Sequence, residues 1–137
     1  MRRSGLAGRR LLTFELEIDE WSARSFLHLA GEPEDSDPMP DCFAQLAAAA
    51  LIQQVDWEAD LMVDLHGGES VVYGEQALVL HRPLRRGERL LVEAEITAVE
   101  ERGRERRFDA VTFGFTASGR AGAALAGSIT LLCLPAG

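Results

Sequence analysis

The residue pattern predicts an α+β domain in which an antiparallel sheet wraps around a central helix. Three observations lead to it. The second half of the chain holds four long segments, residues 71–82, 88–100, 105–117 and 121–134, in which apolar residues alternate with polar ones, the period of a strand. Their connections, Arg85-Arg86-Gly87, Arg102-Gly103-Arg104 and Ser118-Gly119-Arg120, are short and carry a glycine, as hairpin loops do. Between Cys42 and Gln54, the residues Phe43, Leu46, Ala47, Ala50, Leu51 and Gln54 follow a helical spacing. There the run Ala47-Ala48-Ala49-Ala50 leaves so little side chain that other elements can approach from every side.

Taken in order, residues 1–11 read as a flexible basic N-terminus and residues 12–137 as one domain. Leu12, Phe14, Leu16 and Ile18 alternate with Thr13, Glu15 and Glu17, which makes a first strand. Asp19 is placed to cap a helix over Glu20–Ala30, with Ala23, Phe26, Leu27 and Ala30 on one face and Gly31 as the stop. Residues Glu32–Pro40 hold three prolines and four acids, and so form an exposed loop. Asp41 is the expected cap of the central helix. Residues 56–68 either extend that helix or form a loop ending at Gly67-Gly68. In the later strands Val92, Ala94, Ile96 and Ala98 share one face, as do Val111, Phe113, Phe115 and Ala117. Strand, short helix, Pro-rich loop, small-residue helix and four strands together describe the hot-dog fold.

Composition narrows the function. A chain of 137 residues, 47% hydrophobic and 26% charged, is in the range of one globular domain. The net charge of −8 argues against nucleic acid as a partner, since that affinity comes from neutralising phosphates. Charge is uneven, however. Arg2, Arg3, Arg9 and Arg10 sit near the start, and Arg82, Arg85, Arg86 and Arg89 form a second cluster. A solvated turn is the first reading of the second cluster; a hold on an anionic cofactor or carrier is the other. Cys42 and Cys133 lie among apolar residues without metal-ligand or disulfide spacing, which fits a reducing cytoplasm. No apolar stretch has signal-peptide length or approaches the ~20 residues that span a bilayer. No metal or other cofactor is implied.

Three stretches together resemble a known family. Val72-Tyr73-Gly74-Glu75-Gln76 followed by His81-Arg82-Pro83-Leu84-Arg85-Arg86-Gly87-Glu88, the opening Ile18-Asp19-Glu20-Trp21 to Gly31-Glu32, and Pro38-Met39-Pro40-Asp41-Cys42-Phe43 are similar to the MaoC-like, FAS1-like dehydratase domains. The resemblance spans roughly residues 12–134. It implies action on 3-hydroxyacyl or enoyl thioesters carried by coenzyme A or an acyl carrier protein. Catalytic members carry an Asp and a His five residues apart after the short helix; at those places this chain has Glu32 and Asp37. The missing histidine makes the chain similar to the non-catalytic half of a double hot-dog, with a MaoC-type partner supplying the chemistry. A homodimer acting alone, as thioesterase or dehydratase, and a non-catalytic acyl-binding or scaffold module are the alternatives.

Individual residues are weighed on the same basis. No catalytic residue is assigned outright, and Glu32, Asp37 and His66 are the alternatives; His66 precedes Gly67-Gly68 in the least certain segment. His28 reads as a surface contact on the first helix and His81 as a structural contact at a strand end. Substrate contacts are expected from Cys42, Phe43, Ala44, Leu46, Gly74, Glu75 and Gln76. The amides of Cys42, Phe43 and Ala44 open a helix and could polarise a thioester carbonyl. Phe43 and Leu46 are core residues that could also wall a tunnel. Glu75 and Gln76 fall early in a strand expected to be central, where a buried Glu75 would mark the tunnel, and Gly74 permits either close approach or a bulge. The four alanines favour tight packing over room for an acyl chain.

Overall fold

The structure, a computed structural model, describes residues 2–137. Five strands, β1 (Arg10–Glu17), β2 (Ser70–Leu80), β3 (Arg89–Arg102), β4 (Phe108–Gly119) and β5 (Gly122–Leu134), form one antiparallel sheet in the order β1-β3-β4-β5-β2. Three helices, α1 (Glu20–Leu29), α2 (Gln45–Gln54) and α3 (Trp57–Leu61), come between β1 and β2. This is the hot-dog arrangement, with α2 held against the concave face of the sheet. The alternation read from the sequence is the burial pattern observed. Leu90, Val92, Ala94 and Ile96 of β3 and Val111, Phe113, Phe115 and Ala117 of β4 point into the core with Ile129 and Leu131 of β5. From α2, Ala47, Ala48 and Leu51 meet them. Small residues at 47 and 48 let the helix backbone come close to the sheet, which is the packing role expected of the alanines.

Local signals hold where the cause is local. Asp19 accepts the Ser22 amide at 2.7 Å and starts α1, and Gly31 stops it with a φ of 72° that favours glycine. The central helix begins otherwise than expected. A 3-10 turn over Asp41–Ala44 precedes α2, and Pro40, not Asp41, holds the capping position. Pro40 is extended, with a φ of −61° and a ψ of 151°, a φ that proline's ring already fixes. Residues 56–68 do not extend α2. Val55 breaks it in extended conformation, and Asp56 caps α3 through the amides of Glu58 and Ala59.

Three readings are corrected by pairing. The segment Arg85-Arg86-Gly87 is not a hairpin loop, because β2 pairs with β5 while β3 pairs with β1 and β4. Residues 81–88 instead cross the end of the sheet over three strand intervals, about 14 Å at the usual spacing, well within their reach. It follows that β2 is an edge strand and not a central one. In β3 the register shifts between Ile96 and Ala98. Thr97 is the extra residue, so Ala98 turns to solvent and Val99 takes the inward place.

The N-terminus is tied down in this structure. Arg3, read with the rest of 1–11 as flexible, is only 3% exposed. It donates to the Leu61 carbonyl at 2.7 Å, to Asp109 at 2.8 Å and to Glu69 at 2.8 Å. Burial works against its charge, but those carboxylates hold its pKa above the ordinary arginine value. β1 starts at Arg10, inside the segment read as a flexible basic N-terminus.

Candidate functional site

The burial of α2 is one-sided. Gln45, Ala49 and Gln53, spaced along one stripe, stay exposed while Ala47, Ala48 and Leu51 are buried. A cleft runs along each flank of that stripe. On the β1 side Leu16, Glu17, Ile18, Ser22, Phe43, Leu46, Ala49, Ala50 and Gln53 enclose about 180 Å³. On the β2 side Gln45, Ala49, Ile52, Gln53, Tyr73 and Gln76 border about 370 Å³. Ala49 and Gln53 line both. An elongated ligand could therefore lie across α2, over the Ala49 methyl and beside Gln53.

The first cleft is apolar apart from Glu17, Ser22 and Gln53. Phe43 is buried at its base and meets Phe26 edge to face, ring centroids 5.0 Å apart, a favoured aromatic geometry. The second is polar. The Tyr73 hydroxyl donates to Gln76 Oε1, and Gln76 Nε2 donates to Gln45 Oε1 at 2.7 Å, linking the edge strand to α2. Burial pushes the Tyr73 phenol above its ordinary pKa, so the ring remains a neutral donor.

A β-bulge builds this second wall. The register of β2 against β5 shifts between Tyr73 and Glu75, so Gly74 is the bulged residue. A side chain there would meet the Thr130 carbonyl and Leu132 at 3.1 Å, and a residue without one fits that close approach. The inserted residue also sets both Tyr73 and Gln76 on the concave face, opposite the buried Leu131 and Ile129. Glu75 is thereby turned outward. Exposed, it pairs with Arg102 at 3.2 Å on the convex side, and does not face the tunnel as a buried Glu75 would have.

The expected site residues thus divide. Phe43, Leu46 and Gln76 come together around α2, and Gly74 shapes the strand beside them. Ala44 is buried beneath. Cys42 is exposed at the first turn. The Phe43 amide donates to the Pro40 carbonyl at 2.9 Å, so it is already satisfied and is not a free donor for a thioester. Glu32, Asp37 and His66 do not line either cleft. Asp37 lies in the acidic loop 3.5 Å from Arg85, while Glu32 and His66 are exposed. His28 stands 4.0 Å from Glu34 on the outside of α1, and His81 is exposed at the end of β2. Among the described residues no group of His, Cys, Asp and Glu could hold a metal ion, and no helix is long and apolar enough to cross a membrane.

Sequence reasoning missed Gln45, Ala49, Gln53 and Tyr73. The stripe at 45, 49 and 53 was visible as polar or small residues four apart on an otherwise apolar helix. Tyr73 was not, because strict alternation puts it opposite Gln76 in facing until Gly74 bulges.

No protein-family model matches the chain, and no curated protein matches it by sequence. Solved structures match its shape. The HadBC (3R)-hydroxyacyl-ACP dehydratase complex of Mycobacterium tuberculosis aligns at a TM-score of 0.62 and 18% identity, over 90% of this chain and 96% of that one. The (R)-hydratase of A. caviae, involved in PHA biosynthesis, aligns at 0.58 and 18%, over 91% and 94%. The probable thioesterase YbaW of Escherichia coli aligns at 0.59 and 8%, over 90% and 83%. At these identities the likeness establishes the fold, which dehydratases and thioesterases share.

Proposed function

We propose that this chain is a subunit of a 3-hydroxyacyl-thioester dehydratase or enoyl-thioester hydratase, lining one wall of an acyl tunnel while a MaoC-type hot-dog partner brings the catalytic residues. One observation carries the reading: the two clefts that flank α2, the apolar one beside β1 and the polar one bordered by the edge strand β2, have no histidine in their linings. Moving water across a Cα–Cβ bond needs a group that exchanges protons near neutral pH, a task suited to histidine. The α2 clefts offer binding surface without that group.

The geometry favours completion by a second hot-dog. β2 exposes one row of backbone donors and acceptors, and an edge of this kind accepts another strand. Val72, Tyr73 and Val79 on it are 43%, 46% and 57% exposed, and would be covered in such an assembly. A partner docked there would close the open flank of α2 and bring its own residues beside Gln76 and Tyr73. The resemblance of the HadBC complex in fold agrees with this arrangement.

The test is mass-resolved gel filtration of the chain alone and mixed with a MaoC-type protein, followed by crotonyl-thioester hydration on each fraction. Hydration only in the mixed complex is the expected result. Turnover by the pure chain would replace this reading with a homodimeric enzyme, in which Glu17, the one carboxylate lining the apolar cleft, is the first residue to substitute.

A further inference from the structure

A larger cleft lies at the other side of the β1–α1 junction. It encloses about 710 Å³ between the crossover and the β4–β5 turn, and is lined by Arg82, Arg85, Arg86, Arg89 and Arg120 with a single carboxylate, Glu88. In a chain of net charge −8, so many guanidiniums around one cleft concentrate positive charge where it would draw an anion.

The five arginines are not equally free. Arg86 is committed: it pairs with Glu20 and holds the acidic loop through the carbonyls of Glu34 and Ser36. Arg82 pairs with Glu88 at 2.6 Å, and its buried Nε has no partner among the described residues. Arg85 and Arg89 make only long, solvent-exposed contacts, 3.5 Å to Asp37 and 3.4 Å to Glu15, of the kind that contributes little and exchanges readily. Arg120 has no ion pair among the described residues. Three lightly held forks, Arg85, Arg89 and Arg120, thus line the cleft from two segments, with donors in excess of acceptors. A carboxylate has two oxygens and one charge; a phosphate offers more oxygens and up to two charges, and matches several guanidiniums at once.

The two clefts share a seam. Ile18 lines the apolar cleft, donates to the Glu88 carbonyl at 2.8 Å and accepts from the Gly87 amide at 2.7 Å, and both of those residues line the arginine cleft. A ligand with an apolar arm and an anionic handle could straddle this seam.

We propose that the cleft bounded by Arg82, Arg85, Arg89 and Arg120 is a phosphate site that holds the phosphate-bearing handle of a pantetheine thioester. The identity of the handle rests on the acyl-thioester reading above; the anion site rests on the arginines alone. Isothermal titration calorimetry of the full chain at low salt tests both, with adenosine 3′,5′-bisphosphate, 4′-phosphopantetheine and inorganic phosphate as probes. At least one organic phosphate binds more tightly than inorganic phosphate. The double variant Arg85→Ala/Arg120→Ala weakens that binding at least about tenfold, as expected for losing charged hydrogen bonds. Arg107→Ala, in the turn at the opposite end of β4, leaves it unchanged. Preference for the bisphosphate identifies a nucleotide handle, and preference for phosphopantetheine identifies the handle of a carrier protein. Failure of all probes to bind, or binding that survives the double variant, overturns the site, and equal affinity for inorganic phosphate overturns the handle. Hydration of crotonyl-N-acetylcysteamine, a thioester without phosphate, by the mixed complex reads the acyl function separately, and the double variant leaves it intact.

Discussion

At the residue scale, charge placement decides what each carboxylate can do. Glu32 and Asp37 were candidates because of where they fall in the chain, yet the loop that carries them is clamped from outside by Arg86 through the carbonyls of Glu34 and Ser36. Arg86 holds the Glu20 carboxyl below its usual range, which ties α1 to the crossover. Glu69 is the more telling group. Burial opposes its ionisation, but the Asp64 amide and the guanidiniums of Arg2 and Arg3 overcome that and hold it below the ordinary 4.5. A carboxyl with a lowered pKa in the folded state stabilises the fold above its unfolded value and loses that contribution as pH falls through the folded value. The chain is therefore expected to lose thermal stability on acidification below 4.5. In Glu69→Gln the decline of Tm across that window is shallower, and Tm at neutral pH is lower. An equally steep decline in the variant would assign the acid sensitivity elsewhere, with Glu88, lowered by Arg82 and the Arg85 amide against its own burial, as the next group to replace.

At the element scale, α2 has two faces with different duties. Ala47 is 2% exposed and lies against the sheet, so Ala47→Leu forces methylenes into filled space and costs about 1–3 kcal/mol in urea unfolding. Ala49, two residues on, faces the clefts. Ala49→Leu is expected to change stability by no more than about 0.5 kcal/mol, while its bulk blocks the passage across α2 and lowers hydration by the mixed complex through a raised KM. The contrast between the two variants separates packing from substrate access on one helix. The bulge at Gly74 works in the same way on β2: one inserted residue directs Tyr73 and Gln76 inward together and Glu75 outward.

At the scale of the whole molecule, the open edge matters most. β1 and β2 are the two outer strands; the polar cleft borders β2 at Tyr73 and Gln76, and Val72 and Val79 are exposed on the same strand. Val79→Lys places a charge on that edge, a device by which edge strands avoid pairing. The variant is expected to fold with unchanged Tm and to elute apart from the MaoC-type partner on gel filtration, with hydration lost in proportion. Co-elution at wild-type affinity would move the interface to another face, and the exposed Trp21 and Leu29 of α1, 78% and 86% accessible, would then be the place to look.

Local sequence was enough for the fold class and for most elements, though not for α3 or the 3-10 start of the central helix. Alternation, helical spacing, the Asp19 cap and Gly31 stop are set by residues within a few positions of one another, and the hot-dog order of elements follows from them. The facing of Phe43, Leu46 and Gln76 toward the clefts beside α2 also follows from periodicity. Tertiary structure alone decided which strands are neighbours, because a short glycine-bearing connection serves a hairpin and a crossover equally well. That choice made β2 an edge. It likewise decided the facing of Tyr73, Glu75 and Ala98, since a bulge reverses alternation without altering composition. The burial of Arg3 and the gathering of Arg82, Arg85, Arg89 and Arg120 into one cleft bring together residues distant in sequence, and pairing of that kind is fixed by how the sheet closes.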